Sequence, residues 1–334
     1  MTFAKNPYTF RPLQGGENLS TGSLDIPEDW ADSVTHCVAL AGARSSGKSL
    51  YLAVLIKQLE LLGERFQRPI QYLDESTQSR YEQNYERPLY EEMQHMAPTP
   101  PSGAQDAYQR DPFVFSLGKW VDPSGAERMH YLVIRDVAGE DLEVLPDDRS
   151  SLDFFPHADL IVFMFDPLRE EQVRLRLDGL IPTAQTTGAD PEQVLRNLVE
   201  LLDDQRPPLA ITISKFDALQ KLADLPSGDL KEIMDNPGAA FRRDTGMNYD
   251  AGDQYLVSAE TESLLQYLGA SRLVNQIREL YAPSAQFQYF AVSALGESPK
   301  GSHLSRQGIA PYRVLDPVRW VINGKGVFNE NARI

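Results

Sequence analysis

Hydrophobic residues in this chain fall into short uninterrupted runs, and helix-forming stretches separate most of these runs. Such runs are typical of strands buried on both faces, because helices cover a parallel sheet on either side. Strands that alternate with helices therefore predict an α/β fold with a mostly parallel sheet. The predicted strands are 36–41, 113–117, 130–136, 160–165, 209–213 and 287–292, and the predicted helices are 50–60, 191–202 and 258–281.

The connection between the second and third runs is a turn at Asp122–Gly125. Two strands joined by so short a connection pair antiparallel, which adds one antiparallel edge strand to the predicted sheet. Residues 72–96, before this hairpin, are polar with few leucines. This composition predicts an exposed helix rather than a core element.

The remaining segments set the expected domain boundaries. Residues 1–30 mix proline, glycine, serine and asparagine with isolated aromatic residues, which is typical of an irregular N-terminal arm. We expect one α/β domain over residues 31–323 and a frayed C-terminal tail over 324–334. An insertion at about 218–285 is either a surface for a partner protein or a structural embellishment.

The first predicted strand leads directly into Gly42–Ser49, which matches the Walker A pattern G-x-x-x-x-G-K-S. The two glycines let the backbone turn so that successive N–H groups surround an anion, and the next helix points its positive end there. Lys48 would reach the β- and γ-phosphates of a nucleoside triphosphate, and the Ser49 hydroxyl would bind Mg²⁺. We expect the phosphates to be held by Gly42, Arg44, Ser45, Ser46, Gly47, Lys48, Ser49 and Leu50.

A second motif, D-x-x-G, follows the third predicted strand, at Asp136 to Gly139. The carboxylate of Asp136 can contact Mg²⁺, and the N–H of Gly139 can sense a γ-phosphate. Asp166, after the fourth run, is the alternative Walker B carboxylate. Asp136 is preferred because the strand that holds the metal should neighbour the strand of the phosphate loop.

From these two motifs we expect the Ser49 hydroxyl and the Asp136 carboxylate to hold Mg²⁺.

Two further motifs at strand ends indicate recognition of guanine. In Ser-Lys-Phe-Asp, the carboxylate of Asp217 can accept hydrogen bonds from guanine N1 and N2, which adenine cannot supply. The stem of Lys215 can lie across the face of the base, and the N–H of Ala294 can meet guanine O6. The expected base contacts are Ser214, Lys215, Asp217, Ser293, Ala294 and Leu295.

The overall charge excludes some classes of partner. A net charge of −16 argues against general nucleic-acid binding and against docking on anionic membranes.

The single cysteine, Cys37, lies in an apolar strand and is expected to be a buried thiol. With no apolar stretch of membrane-span length and no signal-peptide core, we expect a cytoplasmic protein.

Together the four motifs resemble those of translation-factor-class (TRAFAC) GTPases, whose ordered pattern is G-x-x-x-x-G-K-[ST], D-x-x-G, [NT]-K-x-D and S-A-[KL]. The resemblance spans residues 42–295, about three quarters of the chain. It implies a Ras-like, three-layer P-loop domain with helices on both faces of the sheet, which binds GTP and Mg²⁺ and hydrolyses GTP to GDP. The resemblance also implies a third Mg²⁺ ligand, a threonine of the first switch loop. We expect this threonine to be Thr99, in the Pro-rich segment before the second predicted strand, and Thr77 is the alternative. The chain is also similar to bacterial double-GTPase modules, at Tyr72–Glu75 and Tyr312–Trp320.

The sequence departs from the TRAFAC pattern at three positions. Ser214 replaces Asn or Thr but keeps a hydroxyl, and Glu140 stands where Ras-like members carry a water-orienting Gln. A carboxylate there repels a γ-phosphate, so we expect slow intrinsic hydrolysis. Arg44 either stabilises transition-state charge as an arginine finger or pairs with a loop carboxylate. The candidate catalytic residues are Lys48, Glu140 and Arg44.

Three functional hypotheses follow from these patterns. The first is a GTP-hydrolysing molecular switch whose loops around residues 99 and 139 respond to the γ-phosphate. The second is a non-hydrolysing GTP-binding scaffold, and the third is a P-loop ATPase that uses Asp166. For the first two, the expected partner is a protein effector or a second GTPase, and a nucleotide-dependent dimer is expected in this class.

Overall fold

The computed structural model describes residues 4–13, 23–93, 96, 99–101, 111–169, 171–177, 190–281, 286–296 and 308–329. Across these residues seven strands form one sheet: β1 (Val34–Gly42), β2 (Gln71–Tyr72), β3 (Phe113–Val121), β4 (Glu127–Asp136), β5 (Leu160–Phe165), β6 (Leu209–Ile213) and β7 (Phe287–Ala291). The α-helices are α1 (Lys48–Arg65), α2 (Glu75–Tyr81), α3 (Gly139–Glu143), α4 (Glu171–Leu177), α5 (Pro191–Leu202), α6 (Phe216–Gln220), α7 (Asp229–Asp235), α8 (Ala251–Tyr267), α9 (Ser271–Tyr281) and α10 (Asp316–Ile322). Within the ranges described, no helix has both the length and the apolar composition needed to cross a membrane.

The strand order is β2-β3-β4-β1-β5-β6-β7, so the phosphate-loop strand β1 lies in the centre of the sheet. Both of its neighbours, β4 and β5, run parallel to it. The predicted α/β fold with a mostly parallel sheet is confirmed. The antiparallel strand β3 lies one position in from the edge, because the two-residue β2 pairs with its outer side.

Side chains of β1 alternate between two apolar clusters, one on each face of the sheet. Cys37 and Ala39 belong to the cluster that contains residues of α3, α5 and α9. Val38 and Leu40 belong to the cluster that contains residues of α1 and α10. Because both faces are covered, β1 is an unbroken apolar run rather than an alternating one. The expected burial of the Cys37 thiol is also observed.

The polar segment 72–96 was expected to be an exposed helix; its helical structure is observed, but the expectation that it lies outside the core is wrong. The segment forms α2 followed by a π-helix, Glu82–Glu91. Tyr81 at the end of α2 and Tyr85 and Leu89 in the π-helix are at most 1% exposed. These three residues recur at intervals of four, which is enough to place one narrow stripe on a helix face. The average polarity of the segment conceals that stripe.

Both predicted terminal segments contribute to the core. Phe10 and Trp30, in the N-terminal arm, are 0% and 1% exposed. Val327 and Phe328 are fully buried, and the ring of Phe328 packs on Trp120 with centroids 5.1 Å apart. The expected frayed tail therefore starts too early at residue 324, since packing continues through Phe328. Residues 1–3, 14–22 and 330–334 of these predicted segments lie outside the described residues.

Candidate functional site

The polar motifs predicted from the sequence follow strands whose carboxyl ends meet at one edge of the sheet. Leu40 of β1 is in register with Asp136 of β4, and Gly42 is in register with Met164 of β5. The phosphate loop therefore starts where both neighbouring strands are ending. Ligands of parallel α/β sheets bind at this edge.

The phosphate loop has a backbone that favours glycine at two positions. Gly42 has φ +143° and Gly47 has φ +97°, while Ser45 adopts φ +60°. A Cβ on Gly42 would lie 2.6 Å from the carbonyl oxygen of Met164, which has no room to move inside β5. Helix α1 begins directly after Gly47, so its positive N-terminal end faces into the loop. Two other residues predicted to contact the phosphates lie in the same region. Ser46 is buried within the loop, and Leu50 is half-buried in the first turn of α1.

Lys48 is 5% exposed, and its ammonium lies against the loop. It donates hydrogen bonds to the carbonyl oxygens of Gly42 at 2.8 Å and Ala43 at 3.0 Å. Burial lowers the pKa of Lys48, and the charges of Asp136 and Glu140 oppose this shift. The ammonium is therefore placed to exchange carbonyl oxygens for the phosphate oxygens of a nucleotide.

An oxygen cluster lies at the start of α1. The hydroxyl oxygens of Ser49 and Thr99 are 2.7 Å apart, and Ser49 also donates to Oδ2 of Asp136 at 3.0 Å. Tyr85 donates to the same Oδ2 at 3.0 Å. The other oxygen, Oδ1, is buried and accepts no hydrogen bond from any part of the chain that the structure describes.

This donor set fits Mg²⁺, which binds proteins through oxygen ligands, often one carboxylate together with phosphates. The observation that indicates a cation site is Oδ1 of Asp136, a buried carboxylate oxygen with no hydrogen-bond partner among the described residues. Burial raises the pKa of Asp136, and the charge of Lys48 and the hydrogen bond from Ser49 oppose that shift. Among the described residues, no group of three or more His, Cys, Asp or Glu side chains is arranged to hold a metal ion.

The two alternative metal ligands lie elsewhere. The N–H of Thr77 donates to Asp74, which caps α2. Asp166 accepts a hydrogen bond from the Lys215 ammonium at 2.6 Å and another from the N–H of Leu168 at 3.0 Å. The structure thus brings Thr99 and Asp136, rather than Thr77 and Asp166, to the Ser49 hydroxyl.

The predicted base contacts come together at the ends of β6 and β7. Asp217 is 9% exposed, and its Oδ1 accepts a hydrogen bond from the Ser293 hydroxyl at 2.6 Å. The Ser293 oxygen in turn accepts from the N–H of Gly296 at 2.9 Å, so the carboxylate is held by a short chain of hydrogen bonds. Ala294 and Leu295 are half-buried beside it.

The phosphate loop and the base motif are adjacent. A Cβ on Gly47 would lie 3.9 Å from Cβ of Ser214, whose hydroxyl donates to the carbonyl oxygen of Phe165 at 3.1 Å. Lys215 adopts φ +54°, and its pairing with Asp166 directs its stem along this edge. One continuous site therefore runs from the oxygen cluster to Asp217.

Helix α3, which contains the D-x-x-G glycine, packs directly on the phosphate loop. A Cβ on Gly139 would lie 2.1 Å from the N atom of Arg44 and 2.5 Å from the C atom of Ala43. The N–H of Arg44 donates to Oε1 of Glu143 at 2.8 Å. The Arg44 guanidinium pairs with Oε1 of Glu140 at 3.2 Å, which is the second of the two arrangements considered for Arg44.

Three residues of this site were not foreseen from the sequence. They are Tyr85, Glu143 and Arg169, whose guanidinium donates to the carbonyl oxygen of Arg44 at 2.7 Å. The spacing of Tyr85 between two other buried residues indicates that it faces inward, but no local pattern indicates which atom it meets. Glu143 belongs to an acidic stretch of a kind that is usually solvated.

Comparison with known proteins gives a consistent assignment. The sequence profile of the family described as Double-GTPase 2 matches residues 36–263, about two thirds of the chain. A protein of Mycolicibacterium smegmatis described as "Putative ESX-1 scaffolding and assembly protein SaeC" is 45% identical over 305 residues. The aligned region covers 90% of this chain and 78% of that protein.

Solved structures show more distant similarity. The G domain of the FeoB iron transporter of T. maritima is 13% identical, with 79% of this chain and 91% of that chain covered and a TM-score of 0.29. The GTPase-like domain of S. cerevisiae Ski7, bound to GDP and inorganic phosphate, is 12% identical, with 87% and 50% covered and a TM-score of 0.31. At such low scores neither superposition carries information about the site.

Proposed function

The chain belongs to the Double-GTPase 2 family, and we propose that it binds GTP together with Mg²⁺ and hydrolyses GTP to GDP. One observation carries this proposal. The phosphate loop at Gly47 and the base motif at Ser214 adjoin, so that Lys48 and Asp217 line a single site. This arrangement suits a ligand with a phosphate chain at one end and a guanine base at the other.

Each end of the site has a defined task in this proposal. Lys48 and the loop N–H groups hold the β- and γ-phosphates, and Asp217 selects guanine through its N1 and N2 hydrogens. Ser49, Thr99 and Asp136 would hold Mg²⁺, which when bound neutralises charge on the phosphates. The hydrogen bond from Ser293 keeps the Asp217 carboxylate oriented before the base arrives.

Hydrolysis requires a positioned water molecule, and Glu140 is the side chain next to Gly139 that can orient one. In the structure Glu140 is paired with Arg44, whose side chain is 52% exposed. Both groups must leave this pair before either can act on a γ-phosphate. This contact supports slow intrinsic turnover.

The same contact favours a second candidate, a GTP-binding scaffold that does not hydrolyse its ligand. The Mycolicibacterium smegmatis relative is described as a scaffolding and assembly protein, which also supports a protein partner for this chain. Multiple-turnover phosphate release separates the two candidates. A hydrolysing protein releases phosphate faster than its Lys48→Ala variant, whereas a scaffold and that variant release it equally slowly.

The binding proposal is tested by equilibrium titration of GTP, GDP and ATP with Mg²⁺, on the wild type and on Asp217→Ala. Two charge-assisted hydrogen bonds to guanine predict a preference over ATP of at least about tenfold. The substitution should erase this preference. Asp224→Ala, which removes a 65% exposed carboxylate outside the site, is the matched control and should retain it.

Equal affinity for ATP and GTP, unchanged by Asp217→Ala, would contradict the assignment of guanine. Only the assignment of the phosphate loop would then remain, and the hypothesis of a P-loop ATPase that uses Asp166 would replace the GTP-binding proposal. In that case Asp166 would have to leave Lys215 in order to reach a metal ion.

A further inference from the structure

The helical segment between α1 and β3 changes from α to π geometry where it passes the metal site. Pro88 lies inside this π-helix and has no N–H to donate, so the regular α hydrogen-bond ladder cannot continue through it. The N–H of Glu92 instead donates five residues back, to the carbonyl oxygen of Arg87 at 3.0 Å. Such π-turns are frequent at functional sites because they reposition a side chain.

The side chain placed by this segment is Tyr85. Its ring is 0% exposed and packs edge-on against Phe113, with centroids 5.3 Å apart. Its hydroxyl donates to Oδ2 of Asp136 at 3.0 Å, inside the core. Since the ring is held by packing, the hydroxyl has a fixed position relative to the carboxylate.

The two oxygens of Asp136 are therefore unequal. Oδ2 accepts from Tyr85 and from Ser49, both at 3.0 Å. Oδ1 is buried and accepts no hydrogen bond within the described part of the chain. A carboxylate anchored by one oxygen presents the other to a cation.

We propose that Tyr85 is a positioning residue for the magnesium site, which fixes the Asp136 carboxylate so that Oδ1 faces the ion. This assignment rests on the proposed function, since it needs a nucleotide–Mg²⁺ complex. Hydrogen-bond partners of a metal ligand orient it and tune its affinity for the metal. Thr99 lies further along the same connection between α1 and β3, so this connection contains both a proposed ligand and the group that orients another.

A neighbouring tyrosine provides the matched control. Tyr81 lies one turn earlier, stacks on Tyr85 with ring centroids 6.0 Å apart, and is also 0% exposed. Its hydroxyl donates to the carbonyl oxygen of Ala53 at 2.8 Å, which is part of α1 rather than of the metal site. Tyr81→Phe and Tyr85→Phe thus each delete one buried hydroxyl and its hydrogen bond, and only the second deletion touches Asp136.

The experiment measures the Mg²⁺ concentration that gives half-maximal enhancement of binding of a fluorescent, non-hydrolysable GTP analogue. Tyr85→Phe should raise this midpoint about tenfold or more, the usual cost of losing an orienting partner. Its affinity for the analogue in excess EDTA should stay within about twofold of the wild type. Tyr81→Phe should leave the midpoint unchanged, although both variants lose stability to urea.

A second comparison separates orientation from general loosening of the fold. In the Asp136→Asn background, adding Tyr85→Phe should shift the midpoint no further, because the hydroxyl acts through that carboxylate. Equal midpoints for Tyr85→Phe and Tyr81→Phe overturn the assignment, as does an additive shift in the double variant. A wild type that binds no guanine nucleotide at any Mg²⁺ concentration overturns the proposed function, and the assignment with it.

Discussion

Replacing Gly139 by alanine tests the contact between α3 and the phosphate loop. The new Cβ would lie 2.1 Å from the N atom of Arg44, against about 3.5 Å for an ordinary non-bonded contact. The atoms it meets are backbone atoms of the loop, which cannot rotate away. Helix α3 must therefore retreat by more than about 1 Å. The 2.8 Å hydrogen bond from the N–H of Arg44 to Glu143 then exceeds hydrogen-bonding distance.

The expected cost follows from these contacts. Overpacking of a well-packed site costs about 1–3 kcal/mol. Loss of the Glu143 hydrogen bond adds about 1 kcal/mol, because that carboxylate is half-exposed. Alanine recovers at most about 1 kcal/mol through its greater helix propensity. We therefore expect the nucleotide-free protein to lose about 1–3 kcal/mol of stability.

Two assays measure this loss. Urea unfolding reports the global change, and hydrogen exchange of the Arg44 amide reports the local one, with about tenfold faster exchange for each 1.4 kcal/mol. Gly324→Ala is the control, because a Cβ on Gly324 meets no atom within 4 Å. Unchanged protection of the Arg44 amide in Gly139→Ala, or equal destabilisation by both substitutions, would refute the proposed contact.

Three shorter predictions address other parts of the structure. Glu143→Gln removes a negative charge near the phosphate loop and should raise the ratio of affinities for a non-hydrolysable GTP analogue and for GDP by about fivefold. The control Asp147→Asn should leave this ratio unchanged, and the same ratio in both variants would contradict the prediction. Burial lowers the pKa of His130 to about 4 and that of His36 well below its usual value. Unfolding therefore takes up protons, and stability should fall by about 1.4 kcal/mol per pH unit for each histidine as the pH drops from 6.5 towards 4. A free energy of unfolding in urea that stays constant over this range would exclude this effect. Phe328→Ala should lower the free energy of unfolding by about 3–5 kcal/mol, measured by thermal or urea unfolding, because Phe328 is fully buried. If Phe328 lay in a frayed tail, the substitution would leave this free energy unchanged.

Much of the fold was predictable because the sequence signals for it are local. Each of the six predicted strands lies within or overlaps a strand of the sheet, because a strand covered on both faces must be apolar throughout. The phosphate loop was equally clear, since its backbone conformation requires glycine at Gly42 and Gly47. The order of the motifs along the chain then indicated the class of protein.

Tertiary structure decided between alternatives that the local signals left open. Asp136 ends β4 and Asp166 follows β5, and both strands adjoin β1, so strand adjacency does not distinguish the two carboxylates. Only the side-chain contacts do, because Ser49 donates to Asp136 whereas Lys215 occupies Asp166. The spacing of residues along one chain carries no information about such pairings.

The sequence by itself thus determined the parallel sheet, the phosphate loop and the order of the polar motifs, each of which depends on neighbouring residues. Tertiary structure alone decided that Tyr85 meets Asp136 and that Glu143 meets Arg44, across separations of 51 and 99 residues. These contacts depend on how α1, the π-helix and α3 pack on the sheet. Packing is a property of the whole core, so no short pattern of residues specifies it.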